Sequence, residues 1–264
     1  MVVGSDNRPW SVSGGSSMKN EKNGIGDLYH QQTRYRRNAM PRGGLDWTNQ
    51  PGPFKEYPAS LRRFTLLPPV LQGGKSIWET IAGRRSFREF SSQPITFAEL
   101  SQLIWATQGI TSRASGFAFR TVPSAGALYP IETYLIVNRV EGIPPGVYHY
   151  SAEGREVALL KEGQFGSDLC RGGLGQEMLE EGACVFVWTA VVQRSRWKYR
   201  ERAFRYIYMD AGHIGQNLYL AAAAMGLGCC SVGAFYDEEV DRLVGVDGKE
   251  EISVYLGVVG RILK

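Results

Sequence analysis

Histidine is scarce in this sequence, and its three copies, His30, His149 and His213, stand at no metal-binding spacing from one another or from a cysteine. That argues against a zinc or iron centre, and no metal is expected. Cysteine is nearly as rare: Cys170, Cys184, Cys229 and Cys230 form no CxxC pair, and adjacent Cys229 and Cys230 are poorly placed to bridge each other. The pattern reads as reduced, buried thiols in a cytoplasm. No basic start leading into an apolar core opens the chain, so export is not expected. GxSxG and GxxxxGK[ST] are both missing, which leaves serine hydrolysis and P-loop phosphoryl transfer without their usual anchors. One uncharged run, Ala211 to Tyr236, has membrane length, yet Gly212, Gly215, Asn217, Gly226, Gly228, Ser231 and Gly233 interrupt it. It reads as a buried helix passing into a turn and a strand, with no membrane role.

What is present is enough for a globular core: 43% of the residues are apolar and 11% aromatic. The net charge of +4 suits an anionic ligand, but 30 basic residues are interspersed with 26 acidic ones, so nucleic acid is not an expected partner. Residues 1–65 are rich in Gly, Ser, Asn, Pro and Arg without a sustained apolar period, and read as an N-terminal extension, partly disordered. Within it "LDWTNQPGPFKEYP" sets Trp47, Phe54 and Tyr57 among prolines, a coil able to lie over a domain surface.

From Ser76 the periodicity sharpens. Ile77, Trp78 and Ile81 share a helical face that Gly83 ends; Thr96 and Glu99 are spaced as a capping box before Leu100, Leu103, Ile104 and Thr107, with Gly109 as terminator. "ETYLIVNRV" and "VYHY" read as strands joined by a Gly/Pro turn, and "ACVFVWTAVV" as a strand buried on both faces near the middle of a sheet. A long helix is expected from about Arg200 to Met225, then the strand "CCSVGAF", a short helix "DEEVDRLVG" and a final strand "ISVYLGVVG". "GLGCCS" has half of a dinucleotide fingerprint, but Ser231 replaces the third glycine and a helix precedes it, so it reads as a helix cap. The irregular order of helices and strands points to an α+β layered domain.

Three stretches carry chemistry. "GRRSFREF" gathers Arg84, Arg85 and Arg88 about Ser86 at a helix end, a set of donors suited to phosphate, with a solvated basic turn as the plain alternative. "TVPSAGALYP" supplies Pro123, Ser124, Ala125, Gly126 and Ala127, small side chains at which a flat ring can approach the backbone, or simply a turn. Together they fit one ligand with a phosphate at one end and a planar ring at the other. "WKY" places Lys198 and Tyr199 just ahead of the long helix; burial, or the charges of Arg196 and Arg200, would lower the amine's pKa and make it a possible base. An exposed lysine beside a core-packing tyrosine is the plain alternative. His213 falls on the expected buried helix face and reads as a core residue.

"GRRSFREF", "PSAGALYPIETY", "GHIGQNLYLAAAAMGLG" and "GAFYDEEV", in that order, resemble the nitroreductase superfamily, and in particular its SagB-type, azoline-dehydrogenase-like branch, over residues 66 to 261. The resemblance implies an FMN-dependent domain over 66–264, a central, mostly antiparallel sheet flanked by helices, and a homodimer with two interfacial flavin sites. It implies that Arg84, Arg85 and Ser86 hold the ribityl phosphate region, joined by Arg261, with Arg88 near the pyrimidine edge. Pro123 to Ala127 would come from the other subunit to line the ring, and Val232, Gly233 and Ala234 would pass the N5 edge. Lys198 and Tyr199 resemble the catalytic pair of the azoline dehydrogenases, which oxidise thiazoline or oxazoline rings of a modified peptide by hydride transfer to flavin. A separate cyclodehydratase would then be a partner. Two alternatives stay open: an NAD(P)H-dependent reductase of nitro compounds or quinones, and a non-catalytic subunit of an enzyme complex.

Overall fold

The computed structural model describes residues 24–38, 40 and 43–263. The expectation of disorder over residues 1–23, 39, 41 and 42 lies outside the described residues. The chain divides into two units, residues 1–42 and 43–264. The described part of the first holds one helix, α1 (Ile25–Gln32). Residues 43–65, placed with the extension in the sequence reading, are part of the second unit.

In chain order the second unit contains β1 (Arg63–Thr65), α2 (Ile77–Gly83), α3 (Phe97–Gln108), β2 (Ile110–Ala114), β3 (Phe117–Arg120), β4 (Ile131–Val137), β5 (Gly146–Ser151) and β6 (Glu156–Glu162). There follow α4 (Gly166–Gly172), α5 (Met178–Glu181), β7 (Cys184–Val191), α6 (Val192–Tyr199), α7 (Ala203–Ala224), β8 (Gly228–Val232), α8 (Asp237–Val244) and β9 (Glu251–Gly260). Seven strands form one sheet in the order β1-β6-β5-β4-β7-β9-β8, every neighbouring pair antiparallel, while β2 and β3 make a separate hairpin. This is the α+β, antiparallel architecture that the sequence pattern and the resemblance led us to expect.

β7 is the strand expected inside the sheet. Paired on both edges, it has Cys184 through Ala190 buried, so its apolar run meets a core on each face. One core gathers Trp188, Phe186 and Leu135 with the inner faces of α3 and α7; the other gathers Tyr134, Val187 and Leu256 with α5 and α8. Full burial of a large apolar side chain such as Leu103 contributes roughly 1.5–3 kcal/mol. α7 buries Ile207, Ala211, Ile214, Leu218 and Ala222, spaced by three and four residues as its period requires. Gly257 lets it press on β9: a Cβ there would lie 2.7 Å from Leu218 and 2.8 Å from Trp188.

The expected capping box, Thr96 with Glu99, is formed, and Ser76 with Glu79 makes a second at the start of α2 that the sequence reading did not name. Gly226, at φ +74°, ends the long helix and turns the chain into β8, as the reading of "GLGCCS" expected. Two features differ from the pattern. The apolar run read as one strand changes at Val192 into α6, and the long helix begins at Ala203 after a 3-10 turn, Arg200–Arg202. The face of α2 formed by Ile77, Trp78 and Ile81 is 52%, 77% and 49% exposed, so its apolar pattern is not covered by the described residues. Leu67, Val70 and Leu71, just before α2, are exposed too. Among the described residues no helix is long and apolar enough to cross a membrane.

Candidate functional site

α6 leaves β7 without a connecting loop, and its last turn carries Lys198 and Tyr199. It ends abruptly because Arg200 adopts φ 52° and ψ −137°, a conformation that costs an arginine about 1–3 kcal/mol and persists only where the surroundings enforce it. Six residues upstream, in the first turn of α6, the helix is anchored. Arg194, buried, donates to Glu132 Oε1 on β4, to the carbonyl of Gly52 at 2.9 Å and to that of Tyr129 at 3.4 Å. Glu132 also pairs with His149 Nε2 at 2.9 Å. Burial by itself would raise the Glu132 carboxyl; the His149 hydrogen bond and the charges of Arg194 and Arg120 outweigh it and hold the group down at about 2.

The turn from Pro123 to Tyr129 is built against α7. Ser124 Oγ donates to Asp210 Oδ2 at 2.6 Å and accepts the Tyr129 N–H at 2.9 Å, while the Ala125 N–H donates to Asp210 Oδ1 at 3.3 Å. Burial raises the Asp210 carboxyl, opposed by the bonds from Ser124 and Ala125. Gly126, Ala127 and Tyr129 all have positive φ, at 66°, 54° and 45°, a concentration of unusual backbone that the surrounding contacts must hold. A Cβ on Gly126 would lie 2.7 Å from Tyr199 Oη and 2.9 Å from Lys198 Nζ. The close approach that the small residues permit is therefore made, within one chain, by the Lys-Tyr pair. Lys198 is exposed and Tyr199 half-buried, so the burial expected for the amine is not found in the single chain.

Arg84, Ser86 and Ser231 near the end of β8 form a second cluster around a residue the sequence reading missed, Tyr219 of α7. Its hydroxyl is 2.9 Å from Ser86 Oγ and accepts the Ser231 N–H at 2.8 Å, and the Arg84 guanidinium lies 5.1 Å from its ring. Arg85 turns back onto the carbonyls of Ala82 and Arg84, and Arg88 is exposed. Among the described residues none of Arg84, Arg85 and Arg88 is in an ion pair. Arg261 is not brought to this cluster: it is bound to Glu99 Oε2 at 2.8 Å and to the Pro94 carbonyl at 3.3 Å. Val232 is buried opposite Leu256, and Gly233 and Ala234 continue as an exposed strip held by Gln176.

Asp210 and Tyr219 stand nine residues apart on α7, about 2.5 turns. The turn cluster and the arginine cluster thus lie on opposite faces of one helix. His213, expected on the buried face, is exposed. Asp210 could have been found from the sequence, as an acid in the apolar period of Ile207, Ala211 and Ile214; Tyr219 carries no such mark. No group of three or more metal-ligating side chains is assembled among the described residues.

The Nitroreductase family pattern matches residues 81–261. MJ1384 of Methanocaldococcus jannaschii, a nitroreductase by name, is 38% identical over 69% of this chain and 89% of its own length. The trifolitoxin-processing protein TfxB of Rhizobium leguminosarum is 32% identical over 59% of this chain, which spans only 43% of TfxB. The structure of a protein from Anabaena variabilis, also a nitroreductase by name, superposes with a TM-score of 0.72 at 27% identity, over 90% of this chain and 47% of that one.

Proposed function

Since the chain belongs to the nitroreductase family, we propose that it is an FMN-dependent oxidoreductase of the SagB type, oxidising thiazoline or oxazoline rings of a modified peptide to the aromatic azole. The observation that carries this reading is the convergence of Lys198 Nζ and Tyr199 Oη on the Gly126 turn. Aromatisation removes a ring proton and a hydride from the azoline. Bound FMN supplies the two-electron acceptor for the hydride. The proton falls to this chain, with Lys198 or Tyr199 taking it at Nζ or Oη, while Arg194 and Asp210 hold the helix and the turn that set the pair's position.

The residues fit such a cofactor. Arg84 and Ser86, steadied by Tyr219, would grip the phosphate, with Arg85 adding charge beside them and Arg88 lying near the pyrimidine edge; among the described residues no carboxylate is paired with any of the three arginines. Arg261 would join them only by exchanging its bond to Glu99. Val232 to Ala234 would run along the ring edge, and Pro123 to Ala127 would line the ring from a second copy. Because the two clusters face opposite sides of α7, a shared hollow requires that second copy, and the uncovered face of α2 supplies apolar surface for it. The reading also requires a separate cyclising enzyme and a modified peptide with TfxB-like processing. The cysteines, free in the structure and three of them buried, suit a cytoplasmic location.

The likeness to MJ1384 favours a second reading, an NAD(P)H-dependent reductase of nitro compounds or quinones. Anaerobic NADPH separates the two: rapid bleaching of the bound flavin supports the reductase, and inertness supports the dehydrogenase. For the dehydrogenase, Lys198→Ala should keep flavin bound and abolish oxidation of an azoline peptide. Unchanged turnover would remove Lys198 from catalysis.

A further inference from the structure

A cavity of about 710 Å³ opens beside the functional turn, walled by the coil from Trp47 to Phe54, the β2–β3 hairpin and the Ala127–Tyr129 end of the turn. Its size is that of a site for a small organic ligand. The rings of Trp47, Phe54, Phe117 and Tyr129 line it together with three arginines, and no carboxylate of the described residues does. Two of these arginines are already neutralised, Arg113 by Glu153 at 2.9 Å and Arg194 by Glu132.

Arg120 is not. It is 8% exposed, with its guanidinium 4.8 Å from the Tyr129 ring and 5.8 Å from that of Phe54. Among the described residues its side chain makes one hydrogen bond, from Nη1 to Gln108 Oε1 at 2.6 Å, and Nε has no partner. Burial lowers its pKa, with the charge of Glu132 opposing. An enclosed cation with unfilled donors, at the wall of an aromatic cavity, is a costly arrangement unless an anion completes it.

We propose that this cavity binds a carboxylate carried next to an aromatic ring on a short peptide segment. The carboxylate would meet the guanidinium of Arg120, whose planar fork matches two oxygens, and the ring would sit among Trp47, Phe54 and Phe117. A single guanidinium outside any ion pair, already partly offset by the charge of Glu132, suits a monoanion better than a phosphate dianion. Ala127 at the cavity wall adjoins Gly126, so a segment seated here would lead its next residues toward Lys198 and Tyr199. That substrate role rests on the dehydrogenase reading; the binding does not.

Calorimetric titration of the full chain, without any turnover, tests the binding separately from the activity. The probes are N-benzoylglycine, with a terminal carboxylate, and N-acetyl-phenylalanyl-glutamyl amide, with a side-chain carboxylate, each against its neutral amide counterpart. At least one acid should bind saturably and roughly ten-fold or more tighter than its amide, and which one does so identifies the source of the carboxylate. Arg120→Met should erase that preference. Phe117→Ala, on the exposed side of the hairpin, should weaken binding several-fold while keeping it. Should Arg120→Met not fold, the acid–amide comparison and Phe117→Ala decide. Equal affinity for acids and amides, no saturable binding of any probe, or a Phe117→Ala variant that binds unchanged would overturn the proposal.

Discussion

Gly126 and Tyr199 are 73 positions apart in the chain, yet the tyrosine hydroxyl lies 2.7 Å from where a Cβ on that glycine would stand. The turn and the end of α6 are thus built as one surface, closed by a residue without a side chain.

Gly126→Ala should disturb that surface from two sides. The φ of 66° strains any L-residue, at about 1–2 kcal/mol, and the new methyl must displace Tyr199 Oη and Lys198 Nζ. The expected outcome is a urea midpoint lowered to match, with azoline oxidation lost and flavin content largely kept. A variant that oxidises substrate at the original rate would separate the turn from catalysis.

Glu132 links stability to acid. Its carboxyl lies at about 2 in the folded chain against an ordinary 4.5. A lowered carboxyl stabilises the fold above the ordinary value, and that stabilisation is lost as the pH falls from 4.5 through 2. A shift of this size corresponds to about 3 kcal/mol. Glu132→Gln should therefore be less stable at neutral pH by an amount of that order and show a flatter acid limb between pH 4.5 and 2 in denaturant titrations.

Glu99 serves two partners through the same oxygen, the Thr96 N–H at 2.8 Å and Arg261 Nη2 at 2.8 Å. Glu99→Gln should weaken the cap of α3 by about 1 kcal/mol and release Arg261. If Arg261 belongs to the phosphate grip, FMN titration by fluorescence quenching should show tighter binding, by several-fold. Weaker FMN binding would place Arg261 outside it.

Trp78 tests the second copy. At 77% exposed it contributes little to the fold of a single chain, so Trp78→Asp should melt close to the parent. Sedimentation should show a dimer converted to monomer, with flavin lost alongside. A monomeric variant that still holds FMN would mean that one chain suffices.

Much of this was legible in the sequence because it depends on local rules. The capping box at Thr96, the buried run of β7, the period of α7 and the stop at Gly226 each follow from residues within a turn or two of one another. The break at Val192 was not legible, since β-branched Val191 and Val192 continue the strand pattern across the point where the helix begins. α2 is the instructive case. Its apolar period was read correctly, but period reports that a face is apolar and not what covers it.

The sequence by itself determined the long helix α7, the helices α2, α3 and α8, the strands β4, β5, β7, β8 and β9, the absence of the usual hydrolase and P-loop anchors, and the motifs that mark the family. Only the tertiary structure decided that the Lys-Tyr pair meets its own chain's glycine turn, that Asp210 and Tyr219 organise opposite faces of α7, and that Arg120 is enclosed outside any ion pair of the described residues. The reason is physical. Helix and strand formation are settled by neighbours along the chain, whereas the partner of a buried charge or a turn is chosen by packing between segments many residues apart, and no local period encodes that choice.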